Sequence, residues 1–162
     1  MFAAFAIDFT DKPAGYRELE KQLRALLAGE RDAIANLANA AALIFHALPD
    51  LNWAGCYRLV GHELVLGPFH GKPACVRIQL GKGVCGTAAA RRATVLVRNV
   101  HEFPGHIACD PNSNSEIVVP LLKNGAVLGV LDLDSPRLAR FEAADQAGLE
   151  TLVAVLVAAC DW

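Results

Sequence analysis

"EIVVPLLKNGAVLGVLDLD", residues 116–134, decides how this chain folds. Two apolar runs flank Asn124-Gly125, a pair that accepts positive φ at both positions and so closes a tight antiparallel turn. A β-hairpin is predicted. Along its second strand the side chains alternate, putting Asp132 and Asp134 on one face and Leu131 and Leu133 on the other. With the turn centred at 124–125, Glu116 falls roughly opposite Asp132 or Asp134, to within a residue or two of register. Three acids are therefore expected to converge. Neighbouring carboxylates repel, so water at a strand end, a cation or a shared proton has to accompany them. Pro120 lacks a ladder donor and predicts an edge or bulged strand.

Outward from the hairpin the pattern is that of an α+β chain. Residues 14–28 carry Leu19, Leu23, Leu26 and Leu27 at helical spacing. A second, alanine-rich helix is predicted from Glu30 to about Leu48, ended by Pro49. In "NWAGCYRLV", residues 52–60, Trp53, Gly55, Tyr57 and Leu59 alternate with Ala54, Cys56, Arg58 and Val60. This strand is expected to pair with "ELVLGP", residues 63–68. Short strands are predicted at "CVRIQL" (75–80) and "TVLVRNV" (94–100), with a short helix at "GVCGTAAARR" between them. The chain ends in the helical pattern of "FEAADQAGLETLVAVLVAACDW". With no repeat or linker, these elements predict one domain over residues 1–162. A helical segment at about 13–48 and a helix at about 141–160 would pack on a mostly antiparallel sheet, with its loops, at about 52–135.

Composition narrows the function classes. The 162 residues are 54% hydrophobic and 20% charged, enough apolar content for a core. Fifteen Lys plus Arg against 17 Asp plus Glu give a net charge of -2, which supplies no broad cationic field for nucleic acid. No run is long enough to span a bilayer, and no secretory signal is evident. The five cysteines, at 56, 75, 85, 109 and 160, are an odd set without a CxxC. A reducing cytoplasmic setting is expected, where a disulfide serves catalysis or redox sensing.

Gly81, Gly83 and Gly86 satisfy G-x-G-x-x-G, yet too few residues follow Gly86 for a crossover helix and parallel return strand. A glycine-rich turn into a short helix is the better reading. It places Cys85 near a helix start, where exposed backbone donors would favour a thiolate. Cys56 and Cys160 read as buried small hydrophobes. Cys75, Cys85 and Cys109 each adjoin turn residues, in "GKPAC", "GKGVCG" and "GHIACDP". His106, Cys109 and Asp110 have metal-ligating atoms, but structural zinc normally shows closer paired ligands, and no metal is expected. Trp53 and Tyr57 share a strand face, either as core or as the wall of a site for a small, partly apolar ligand.

Taken together, "LNWAGCYRL", "LVLGPFHGKPACVRI", "GKGVCGTAA", "FPGHIACD", "NSEIVVPL" and "GVLDLDSP" resemble the free methionine-(R)-sulfoxide reductases, a family of GAF-domain proteins. The likeness runs over nearly the whole chain. It implies a GAF fold, often dimeric, reducing free L-methionine-(R)-sulfoxide without a cofactor, with thioredoxin as electron donor. By this resemblance Cys109 is the attacking cysteine, Cys75 its resolving partner and Cys85 an alternative partner. The resemblance also places substrate-binding roles on Trp53, Tyr57, Glu116, Asp132 and Asp134, with Glu116 or an Asp such as Asp134 as proton donor. Cys56 stands where relatives commonly carry an aromatic residue. The contrasting reading is a non-catalytic GAF sensor for a nucleotide or other small ligand, which would need no recyclable thiols.

Overall fold

Asn124 and Gly125 both take positive φ, 51° and 79°, and join strands β5, Ser115–Lys123, and β6, Ala126–Ser135. This is the turn that the Asn-Gly pair predicts. The structure, a computed structural model, describes residues 6–107 and 110–162. Among them, four further strands extend the hairpin: β1, Trp53–Val60; β2, Glu63–Gly71; β3, Arg77–Gln79; and β4, Val95–Val97. The sheet order is β3-β2-β1-β6-β5-β4, and each neighbouring pair is antiparallel. The strand expected from Cys75 to Leu80 is shorter than predicted and starts beyond Cys75.

Pro120 lies past the end of β4, which pairs only with residues 116–118 of β5. A register irregularity follows between Leu121 and Leu122. A missing N–H is tolerated where one neighbouring strand has ended and the ladder is bulged.

Helix α1, Lys12–Leu26, begins at Asp11, whose carboxylate accepts the Ala14 N–H at 3.1 Å. Helix α2, Ala33–Ala47, is capped in the same way by Asp32 on Ala35 N–H at 2.8 Å. These two and the C-terminal α4, Ala143–Ala159, cover one face of the sheet. The short helix α3, Gly83–Arg91, packs on the other face against β5 and β6.

The alternation of β1, β5 and β6 sorts side chains between these faces. Ala54, Cys56, Ile117, Leu131 and Leu133 join leucines of α1, α2 and α4 in the larger core. Trp53, Tyr57, Val118 and Val130 join Val84, Cys85 and Ala88 of α3 in the smaller one. Every ladder is antiparallel, so the glycines of 81–86 do not open a βαβ unit. They form the turn into α3, with Gly81 N–H bonded to Gly86 O.

The helical layer is fastened by a buried charge. Asp145, in the first turn of α4, is fully buried and accepts from Lys12 at 2.6 Å, Tyr16 at 2.9 Å and Arg140 at 3.0 Å. Its other bond, from Glu142 N–H at 3.0 Å, completes a capping box. Burial alone would raise the Asp145 carboxyl, but the bonds from Lys12 and Arg140 outweigh it and hold the group below its usual range. Among the described residues, no helix is long and apolar enough to cross a membrane.

Candidate active site

Antiparallel register brings the acids and the aromatics into one row. Trp53 of β1 is opposite Asp134 of β6, and Asp134 is opposite Glu116 of β5. In the next row, Gly55 is opposite Asp132. The side chains of Trp53, Glu116, Asp132 and Asp134 project to the α3 face, where they line a cleft together with Tyr57 and Cys85. Its rim comes from two loops, through Lys72, Pro73 and Ala74 on one side and His106, Ile107, Asp110 and Ser113 on the other.

The aromatic wall is built by close approach. The Trp53 ring stacks on Phe69, centroids 5.4 Å apart, and on Tyr57 at 6.0 Å. Its indole N–H donates to Lys72 O at 3.1 Å. A Cβ at Gly55 would meet Phe69 Cβ at 2.4 Å and Trp53 at 2.6 Å, so only glycine leaves room for this stack.

The acids occupy a site with little water. Glu116 and Asp132 are each 6% exposed. Burial, and then the neighbouring Asp134, push the Glu116 carboxyl well above the usual carboxylate range. Burial and Glu116 do the same to Asp132, and burial and Asp132 to Asp134. The acids facing the aromatic wall are thus shifted toward their protonated forms, and the burial of Asp132 rules out a solvated strand end for it.

Glu116→Gln should therefore keep the fold and raise the unfolding midpoint. A raised folded value means that the linked stability is fully present below the unfolded pKa, about 4.3, and is lost as pH rises through the folded value. The gain from Gln should grow from acid toward neutral pH in thermal unfolding, whereas a gain independent of pH would contradict the buried neutral acid.

Cys85 departs from the sequence expectation. It lies in the first turn of α3, but its side chain is buried and its thiol donates to Asp132 Oδ2 at 3.2 Å. Burial, with Asp132 and Glu116 beside it, pushes the thiol pKa well up. The helix start does not offset two neighbouring acids and the loss of water, so a thiol and not a thiolate is favoured. Cys85 Sγ and one oxygen each of Glu116 and Asp132 lie within 4.8 Å of one another, so the thiol and the two acids share one dry corner of the cleft.

Cys75 is half-buried in the segment just before β3. Cys109 lies outside the described residues, while Ile107 and Asp110 on either side of it line the cleft. Cys56 and Cys160 are fully buried in the helical core.

Two contributors are weighed from the sequence only as metal ligands and not as part of this site. His106 Nε2 sits 3.5 Å from Glu116 Oε2, a pairing that only the folded loop creates. Asp110 is buried and accepts from Asn112 N–H at 2.9 Å, Lys72 at 3.2 Å and Asn52 at 3.2 Å. The Asn112 backbone bond, supported by Lys72 and Asn52, holds its carboxyl below the usual range. Asp110 thereby ties the 106–113 loop to the segment that leads to Cys75. Lys72 adjoining "PAC" was the available signal for that tie.

Residues 34–161 match the GAF domain family. Over 146 residues the chain is 52% identical to the free methionine-R-sulfoxide reductase of Escherichia coli, covering 90% of this chain and 88% of that protein. The chain belongs to the free methionine-R-sulfoxide reductase family. Another member, from Neisseria meningitidis, has a crystal structure in complex with its substrate. It superposes with a TM-score of 0.94 at 45% identity, covering 98% of this chain and 95% of that one. A GAF protein of Burkholderia vietnamiensis is 58% identical, with a TM-score of 0.88 over 91% of this chain and 94% of its own. The GAF fold that the sequence motifs implied is the fold of this reductase family.

Proposed function

We propose that this chain reduces free L-methionine-(R)-sulfoxide to L-methionine by thiol chemistry. The observation that carries the reading is the row Trp53–Asp134–Glu116, an aromatic wall facing acids in one cleft. An indole and a phenol suit the methyl-thioether end of the substrate. A carboxyl whose pKa is raised can hydrogen-bond and then protonate a sulfoxide oxygen, while a neighbour that ionises can bind the substrate ammonium. A peptide-bound methionine sulfoxide lacks that ammonium, so the same cleft selects the free amino acid.

In the proposed cycle the Cys109 sulfur attacks the sulfoxide sulfur while Glu116 protonates the oxygen. The S–O bond breaks, the substrate sulfur gains two electrons, and the oxygen ends as the sulfenic acid of Cys109. The Cys75 thiol then attacks that sulfenic acid, forming a disulfide and releasing water. Reduced thioredoxin returns both cysteines to thiols. Cys75, half-buried beside the rim, suits resolution and thioredoxin access better than Cys85, which is sealed against Asp132. The family resemblance carries with it a homodimer as the working assembly.

The test offers purified chain free R sulfoxide, free S sulfoxide and a peptide-bound sulfoxide separately, with thioredoxin recycling followed by NADPH consumption. Turnover of the free R isomer alone is expected. Turnover of none of them, with ligand binding retained after all cysteines are replaced, would favour a GAF sensor.

A further inference from the structure

We infer that His106 relays protons between solvent and Glu116, and so returns the acid of the proposed reaction to its protonated form between turnovers. The inference rests on Glu116 as that acid. His106 Nε2 lies 3.5 Å from Glu116 Oε2, and the two side chains are 14% and 7% exposed. Its loop is held by a bond from His106 N–H to Phe103 O at 3.1 Å, closing a turn in which Gly105 takes φ 74°. The imidazole thus stands at the rim of the cleft, with more access to water than the acid behind it.

The chemistry requires such a path. Once Glu116 has given its proton to the sulfoxide oxygen, it is a carboxylate in a dry site beside Asp134 and Asp132. Burial and like neighbours make that state costly, so the next turnover needs a proton delivered to a group with little water of its own. An imidazole can accept a proton at one ring nitrogen and release one from the other. Burial lowers the His106 pKa, so the ring rests neutral and exchanges instead of holding a permanent charge. Among the described residues, the other titratable groups around the cleft are Tyr57 of β1, Asp132 and Asp134 of β6, Cys85 of α3, and Lys72 and Asp110 of the loops. The proton balance closes: the Cys109 thiol loses one proton to water, and His106 returns one from water to Glu116.

A relay differs from a structural role in when it matters. The first round uses the proton already on Glu116, so it should not need His106. In rapid-quench measurements on fully reduced His106→Asn and His106→Gln, without reductant, methionine should form in the first round at a rate within about threefold of the unmodified chain. Under saturating thioredoxin, steady-state kcat should fall on the order of 10²-fold with KM little changed, and imidazole added to His106→Ala should restore part of it. An unchanged steady state would overturn the relay. So would a first round slowed as much as the steady state, with no recovery in imidazole. Glu116→Gln separates the two layers of the account: if its first round keeps the full rate, the acid assignment itself fails.

Discussion

Cys109→Ser is expected to lower turnover of free R sulfoxide with thioredoxin by at least about 10⁴-fold, because every redox step of the proposed cycle passes through that one sulfur. A serine hydroxyl can neither attack the sulfoxide sulfur at neutral pH nor store the oxygen as a sulfenic acid. Substrate affinity should survive, since the aromatic wall and the acids on β1, β5 and β6 are unchanged. Cys75→Ser provides the contrast. It keeps the attacking thiol, so it should yield one methionine per chain and then stall as the sulfenic acid. If Cys109→Ser still turned over with thioredoxin, the nucleophile would be wrongly assigned.

The second large effect concerns the fold. Asp145→Ala should destabilise the chain by about 3–5 kcal/mol, the range for breaking a buried ion pair by removing one partner. Arg140, whose side chain is 6% exposed, would lose its carboxylate, and Tyr16 and Lys12 would lose the same acceptor. Against a total of roughly 5–15 kcal/mol, that loss is a large fraction. Urea unfolding measures it, and a change below about 1 kcal/mol would show that the network contributes little. The Asp145 carboxyl is held low in the folded state. Its contribution is therefore present above the unfolded pKa and is lost as pH falls through the folded value.

How far the site could be read in advance is clearest at Glu116. A regular hairpin around Asn124-Gly125 keeps the register Lys123↔Ala126, in which paired numbers sum to 249. Glu116 would then meet Leu133, on the wrong face. The irregularity between Leu121 and Leu122 leaves Leu128 as an extra residue, and the sum becomes 250, as in Glu116↔Asp134. The hairpin and its acid-bearing face were legible because alternation and turn chemistry are local. The bulge that sets the pairing was signalled only by Pro120.

Other features depend on contacts far apart in sequence. The Asp145 network joins Lys12, Tyr16 and Arg140, and no local pattern connects them. Cys85 shows the limit of a local rule: its helix start was correctly placed, but burial and two acids from the facing hairpin reversed its expected ionisation. His106 adjoins the Cys109 motif, yet its pairing with Glu116 exists only once the loop lies over β5.

The most direct test of the account is peptide mass mapping of the fully reduced chain after a single exposure to free L-methionine-(R)-sulfoxide in the absence of reductant. The account predicts one methionine released per chain and a Cys75–Cys109 disulfide, with Cys56, Cys85 and Cys160 still thiols. Methionine released while Cys109 stays a thiol, or no methionine at all, would contradict it.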